Sequence, residues 1–77
     1  MKIIDRFGKK LLLDEIAYAL TGGQVIKCTV IGRQIDDFCL VRQIDESQMF
    51  YSVRQDRVVK IDNTDPRVTR FILENSV

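Results

Sequence analysis

From Gln24 to Asp62 the chain alternates apolar and polar residues almost without interruption. The runs QVIKCTVIG, DFCLVRQI, QMFYSVR and RVVKID put apolar side chains at every second position, the period of a half-buried strand. Polar breaks part the runs at Gln34 to Asp37, Asp45 to Ser47 and Gln55-Asp56, where Asp favours turns through local hydrogen bonds. A four-stranded antiparallel β-meander is predicted.

Ahead of it, LLLDEIAYAL carries Leu13, Ile16, Ala17 and Leu20 at the i, i+3, i+4, i+7 spacing of one helical face. Gly22-Gly23 follows at once, where a left-handed residue ends a helix at little cost. This spacing predicts a helix from about Lys10 to Thr21. Arg6-Phe7-Gly8-Lys9 reads as a turn, and Ile3-Ile4 as an optional fifth strand. At the other end, Asn63-Thr64-Asp65-Pro66 is a helix-start signal, with Val68, Phe71 and Ile72 on one helical face beyond it. The expected fold is therefore α+β. An N-terminal helix packs on a four- to five-stranded antiparallel meander, a curled sheet or partly open small barrel, and a short C-terminal helix follows.

A length of 77 residues makes one domain, 1–77, with no room for a second core. Such a chain buries only ~60% of its unfolded surface and often leans on a disulfide, a metal or a partner subunit. Histidine is absent, and the two cysteines are too few for a closed zinc site, so no cofactor or metal is expected. Pairing the first two strands around Gln34 to Asp37 puts Cys39 opposite Gly32, four residues from Cys28. That is ~13 Å at ~3.3 Å per residue, beyond the ~7 Å span of a disulfide. Both are expected as buried, reduced thiols, and self-association becomes the favoured supplement. No signal peptide or run of ~20 apolar residues is visible, so a cytoplasmic protein without a membrane partner is expected.

Extending the strand pairing sets Arg33 against Phe38, Ile31 against Leu40, and Thr29 against Arg42. It then sets Arg42 against Tyr51, Leu40 against Val53, and, across a tight Gln55-Asp56 turn, Val53 against Val58. One face holds Ile26, Cys28, Val30, Cys39, Val41, Phe50, Val59 and Ile61, a bed for the N-terminal helix. The other holds a row of Ile31, Leu40, Val53 and Val58 beside Thr29, Arg42, Tyr51 and Lys60. An apolar row on the second face calls for a cover: curling of the sheet, the C-terminal helix, or another molecule.

Net charge is +1, so no strongly basic balance points to a polyanion. Without histidine there is no usual general base and no Ser-His or Cys-His pair. Asp36-Asp37 and Asp45-Glu46 fall where the meander turns, and Gly22-Gly23 lacks the lysine and serine of a phosphate loop. No catalysis and no small-molecule substrate are expected. Arg42 beside Tyr51, with Lys60 next in the row and Arg33 near Phe38, would put cations and a ring on one face, as sheet-faced modules that hold single strands do.

A helix leading into a bent antiparallel sheet is the plan of Sm-like proteins, and Ser47-Gln48-Met49-Phe50-Tyr51 resembles a stretch near the fourth strand of their bacterial RNA chaperones. The resemblance covers five residues. The Lys-His that follows in that family is Ser52-Val53 here, so no RNA-binding residue is carried over. The first expectation is a small non-catalytic binding or regulatory protein that meets a protein partner, or a second copy of itself, through a sheet face or edge. The surface expected to do so is Ile31, Leu40, Val53 and Val58 with Arg33, Arg42, Tyr51 and Lys60. Nucleic-acid binding by the same face ranks second.

Overall fold

A computed structural model describes residues 2–75 of the 1–77 chain. In order these form β1 (Ile3–Ile4), β2 (Lys10–Leu11), β3 (Ile16–Thr21), β4 (Gln24–Arg33), β5 (Phe38–Gln43) and β6 (Phe50–Arg54). A 3-10 turn (Gln55–Arg57), β7 (Val58–Lys60) and α1 (Pro66–Asn75) complete them. β1 and β2 pair by themselves, while the other five strands make one antiparallel sheet ordered β6-β5-β4-β3-β7. The fold is mostly β. The expected short C-terminal helix is present as α1, but the expected N-terminal helix is not.

The segment from Lys10 to Thr21 is instead β2, a turn and β3. Asp14 adopts a φ of 66°, a left-handed conformation that no helix interior accommodates. Beyond it IAYALT also has period 2, which puts Ala17 and Ala19 inward and fully buried. Gly22 and Gly23 do not cap a helix. With φ of 60° and 76° they form the two-residue loop of a hairpin that pairs Thr21 with Gln24. A loop with two positive φ angles matches the twist of the flanking strands, and glycine enters it without strain.

The expected meander is corrected at three further points. Thr29 does face Arg42, but a bulge between Val30 and Gly32 then sets Gly32 against Leu40 and Arg33 against Cys39, with Ile31 as the extra residue. Between β5 and β6 the register is one residue away from the expected one: Arg42 faces Phe50, Leu40 faces Ser52, and Cys39 faces Val53. The cause is the loop. Asp45 Oδ1 accepts from the backbone N–H groups of Ser47 and Gln48 at 2.9 and 3.2 Å, and Gln48 takes a φ of 48°. That five-residue turn makes Gln43 and Met49 the last bonded pair, and a slip of one exchanges the faces. Finally, no tight hairpin joins β6 to β7. The 3-10 turn carries the chain across the sheet, and β7 pairs with β3. Ile3-Ile4 is not the fifth strand; it pairs with β2.

The curled sheet encloses one core, with Ile26, Cys28, Val30, Cys39, Val41, Val53 and Val58 inside and Ile3 and Leu11 closing one end. Outside the sheet, α1 sets Val68 and Phe71 on Val59, with Phe7, Tyr18, Leu20, Val25 and Ile72 around them. Pro66 starts this helix, and Asp65 Oδ1 accepts the Arg67 N–H at 3.0 Å, as the Asp-Pro signal implies. Curling and the helix therefore each cover part of what a flat sheet would leave open.

One buried charge ties the two ends of the chain together. Asp5, 5% exposed, accepts the Phe7 and Lys9 N–H groups on Oδ1 at 2.9 and 2.7 Å. Its Oδ2 accepts the Lys60 N–H at 2.8 Å. The Phe7-Gly8 turn is thereby fastened to the outer edge of β7.

Candidate functional site

The eight residues expected to form one binding surface do not come together. Val53 and Val58 point into the core, at 3% and 0% exposure, because of the slip at β6 and the transfer of β7 to β3. Tyr51 also turns inward against the core, with its hydroxyl donating to Gln43 Oε1 at 3.3 Å. Lys60 ends β7, 3.6 Å from Glu15. Arg33 ends β4, where it donates to the Lys2 carbonyl at 3.4 Å and lies 3.6 Å from Asp37. Ile31 stays at the bulge, half-buried, and only Leu40 and Arg42 share the outer face of β5. This dispersal lends the expected nucleic-acid face no support.

A different set does assemble. The registers place Ile16, Thr29, Arg42 and Phe50 side by side on the outer face across β3, β4, β5 and β6. Ile16 and Phe50 stand exposed at the two ends of this row, with Ile44 and Met49 exposed beside it. Arg42 forms no ion pair among the described residues. Helix α1 packs on another part of the outer surface, around Val59, and within the row Thr29 is buried while Ile16 and Phe50 are exposed. The alternation marks Phe50 as a strand residue, but the longer loop shaped by Asp45 sets it on the outer face and not on the expected inner one.

The two edges of the sheet differ. At β7 the outward groups are occupied, since the Arg6 N–H donates to the Val58 carbonyl at 2.9 Å and Asp5 takes the Lys60 N–H. At β6 they are open. Gln43 N–H donates to Met49 O, and Gln55 N–H to Asp37 O, both at 2.8 Å. Bonding alternates along an antiparallel pair, so the N–H and C=O groups of Phe50, Ser52 and Arg54 point away from β5. No strand among the described residues pairs with them.

The titratable groups that depart from their ordinary values serve the fold. Burial pushes the Cys28 thiol up to about 12 and the Cys39 thiol up to about 11, and both are free. Thiols so raised are poor nucleophiles and poor metal ligands near neutral pH. Hydrogen bonds from Thr64, then Lys9, hold Asp62 down at about 2, and Arg67 with Lys9 holds Asp65 well below the carboxylate range. These two carboxylates fasten Lys9 to the start of α1, at 2.9 and 3.1 Å. Among the described residues no group of three or more Cys, Asp or Glu gathers as a metal site, and no helix is long and apolar enough to cross a membrane.

Comparison with protein-family models, with curated proteins and with solved structures finds no match to this chain in any of the three.

Proposed function

We propose that this chain is a non-catalytic binding protein of regulatory or adaptor type that self-associates through the open edge of β6. The asymmetry of the edges carries this reading: the N-terminal segment caps β7, while Phe50, Ser52 and Arg54 present unpaired backbone groups. Two copies that pair antiparallel about a two-fold axis at Ser52 set Phe50 of one opposite Arg54 of the other. A guanidinium then meets an aromatic face, and no like charges meet across the pair. The exposed side chains of Ile44, Met49 and Phe50 lie beside this edge and add apolar area to the contact. Two buried free thiols suit a reducing compartment, which supports a cytoplasmic setting.

The test is the mass in solution. Sedimentation equilibrium at 5 to 100 µM should give a dimer for the native chain. Ser52→Pro, which removes an outward donor without touching the bonds to β5, should give a folded monomer. A native chain that is monomeric at about 100 µM refutes the reading, as does a Ser52→Pro variant that stays dimeric.

A further inference from the structure

The arginines are not spread evenly over the molecule. Three adjoining cavities of about 180, 330 and 170 Å³ run from α1 towards β6. Arg6 and Phe71 line both the first and the second, and Leu20 and Arg57 line both the second and the third, so the three form one groove. Arg67 and Arg70 stand at its α1 end and Arg54 at its β6 end. Five of the seven arginines thus line a single groove in a chain whose net charge is only +1. The acids lining it are Asp56 and Glu74.

Not all of this charge is neutralised. Asp56 pairs with Arg54 at 3.2 Å, and Asp65, at the start of α1, takes Arg67 at 2.9 Å. Arg6, Arg57 and Arg70 meet no carboxylate within ion-pair distance among the described residues. Arg6 is also held in place. It donates to the Asp56 carbonyl at 3.1 Å, and its guanidinium lies 5.8 Å above the Phe71 ring. Arg67 lies 4.7 Å above Phe7 in the same way. Stacking fixes these planar groups and leaves part of each donor fork unspent.

We propose that this groove binds the phosphate backbone of single-stranded nucleic acid without regard to sequence. The unpaired guanidiniums are distributed along all three cavities, which suits a polymer of regularly spaced anions better than one isolated phosphate. The groove is lined by polar as well as apolar groups, and a flexible single strand can follow it where a rigid duplex cannot. Phe7 and Phe71 already carry guanidiniums, and Phe38 at the β6 end is half-buried, so recognition falls chiefly to the phosphates. This site is separate from the outer sheet row; its β6 end shares Ser52 and Arg54 with the edge proposed for self-association, while Arg6, Arg57 and Arg70 lie outside that edge.

Fluorescence anisotropy with a labelled 12-nucleotide oligo(dT) tests it. The native chain should bind at 50 mM NaCl, and three phosphate contacts give a slope of log affinity against log salt of about −2. Arg57→Glu with Arg70→Glu, both at exposed positions, should keep the native circular dichroism and weaken binding at least about tenfold. Lys2→Glu with Lys27→Glu imposes the same change of net charge away from the groove and should leave affinity within about twofold. Polyphosphate should displace the strand. Three results overturn the inference: no binding at 50 mM NaCl, equal loss in the two double variants, or displacement by poly-glutamate as effective as by polyphosphate.

Discussion

Replacing Asp5 tests the tie between the N-terminal turn and β7. The carboxylate accepts three backbone N–H groups at 2.7 to 2.9 Å while only 5% exposed. Asp5→Ala removes the acceptor and strands the donors of Phe7, Lys9 and Lys60, at about 1–3 kcal/mol for each one left buried. Partial entry of water lowers the sum, and a loss of about 3–5 kcal/mol is expected. A domain of this size holds only roughly 4–12 kcal/mol in all. Asp5→Asn should cost less, about 2–3 kcal/mol, because one oxygen survives while the new amide points its hydrogens at an N–H donor. Urea unfolding followed by far-ultraviolet circular dichroism measures both. With a slope near 1 kcal/mol per molar, the midpoint should fall by about 2–3 M for Asn and further for Ala. The Lys60 amide should also lose protection from hydrogen exchange first. A midpoint within about 0.5 M of native for Asp5→Asn would show that the buried carboxylate does not hold the turn to the sheet.

Two further perturbations probe the hairpin and the helix start. Gly23→Ala places a side chain at a φ of 76° where a Cβ meets nothing within 4 Å, so its cost is purely conformational, about 1–2 kcal/mol. Gly32→Ala, also in open space but without a positive φ, should be neutral or slightly stabilising; equal thermal shifts for the two variants would refute the assigned turn. The depressed carboxyls of Asp62 and Asp65 set an acid limit. Folding favours their ionised forms, so their contribution is complete above the unfolded value near 4 and is lost as pH falls towards 2. The urea midpoint of the native chain should drop across that interval, and Asp62→Asn should flatten the drop; an unchanged profile in the variant would refute the assignment.

Much of the architecture was legible because strand periodicity is a local signal. The runs around Val30, Val41, Phe50 and Val59 are strands, and Asp65-Pro66 starts a helix where it should. The misreading of Lys10 to Thr21 has a clear origin. Ile16, Ala17 and Leu20 share a helical face, yet IAYALT also alternates, with Ala17 and Ala19 inward, and a double glycine serves a helix end and a hairpin alike. What separates the two is the neighbour. β3 finds β4 on one side and β7 on the other, and those ladders outweigh any local helical preference. The binding surface was less legible, because it depends on parity. One additional residue in the loop shaped by Asp45 turned Tyr51 and Val53 inward and Phe50 outward.

Sequence alone therefore determines the strand-rich character, the reduced and buried cysteines, and the terminal helix, since each follows from spacing over a few residues. Tertiary structure decides the rest: which strand completes the sheet, which edge stays open, and where the arginines meet. Arg6, Arg57 and Arg70 are far apart along the chain and carry no shared pattern. Only the wrapping of α1 and the N-terminal turn around the sheet brings them to one groove. Local rules govern contacts between near neighbours, whereas edges and grooves arise from residues that chain closure alone makes adjacent.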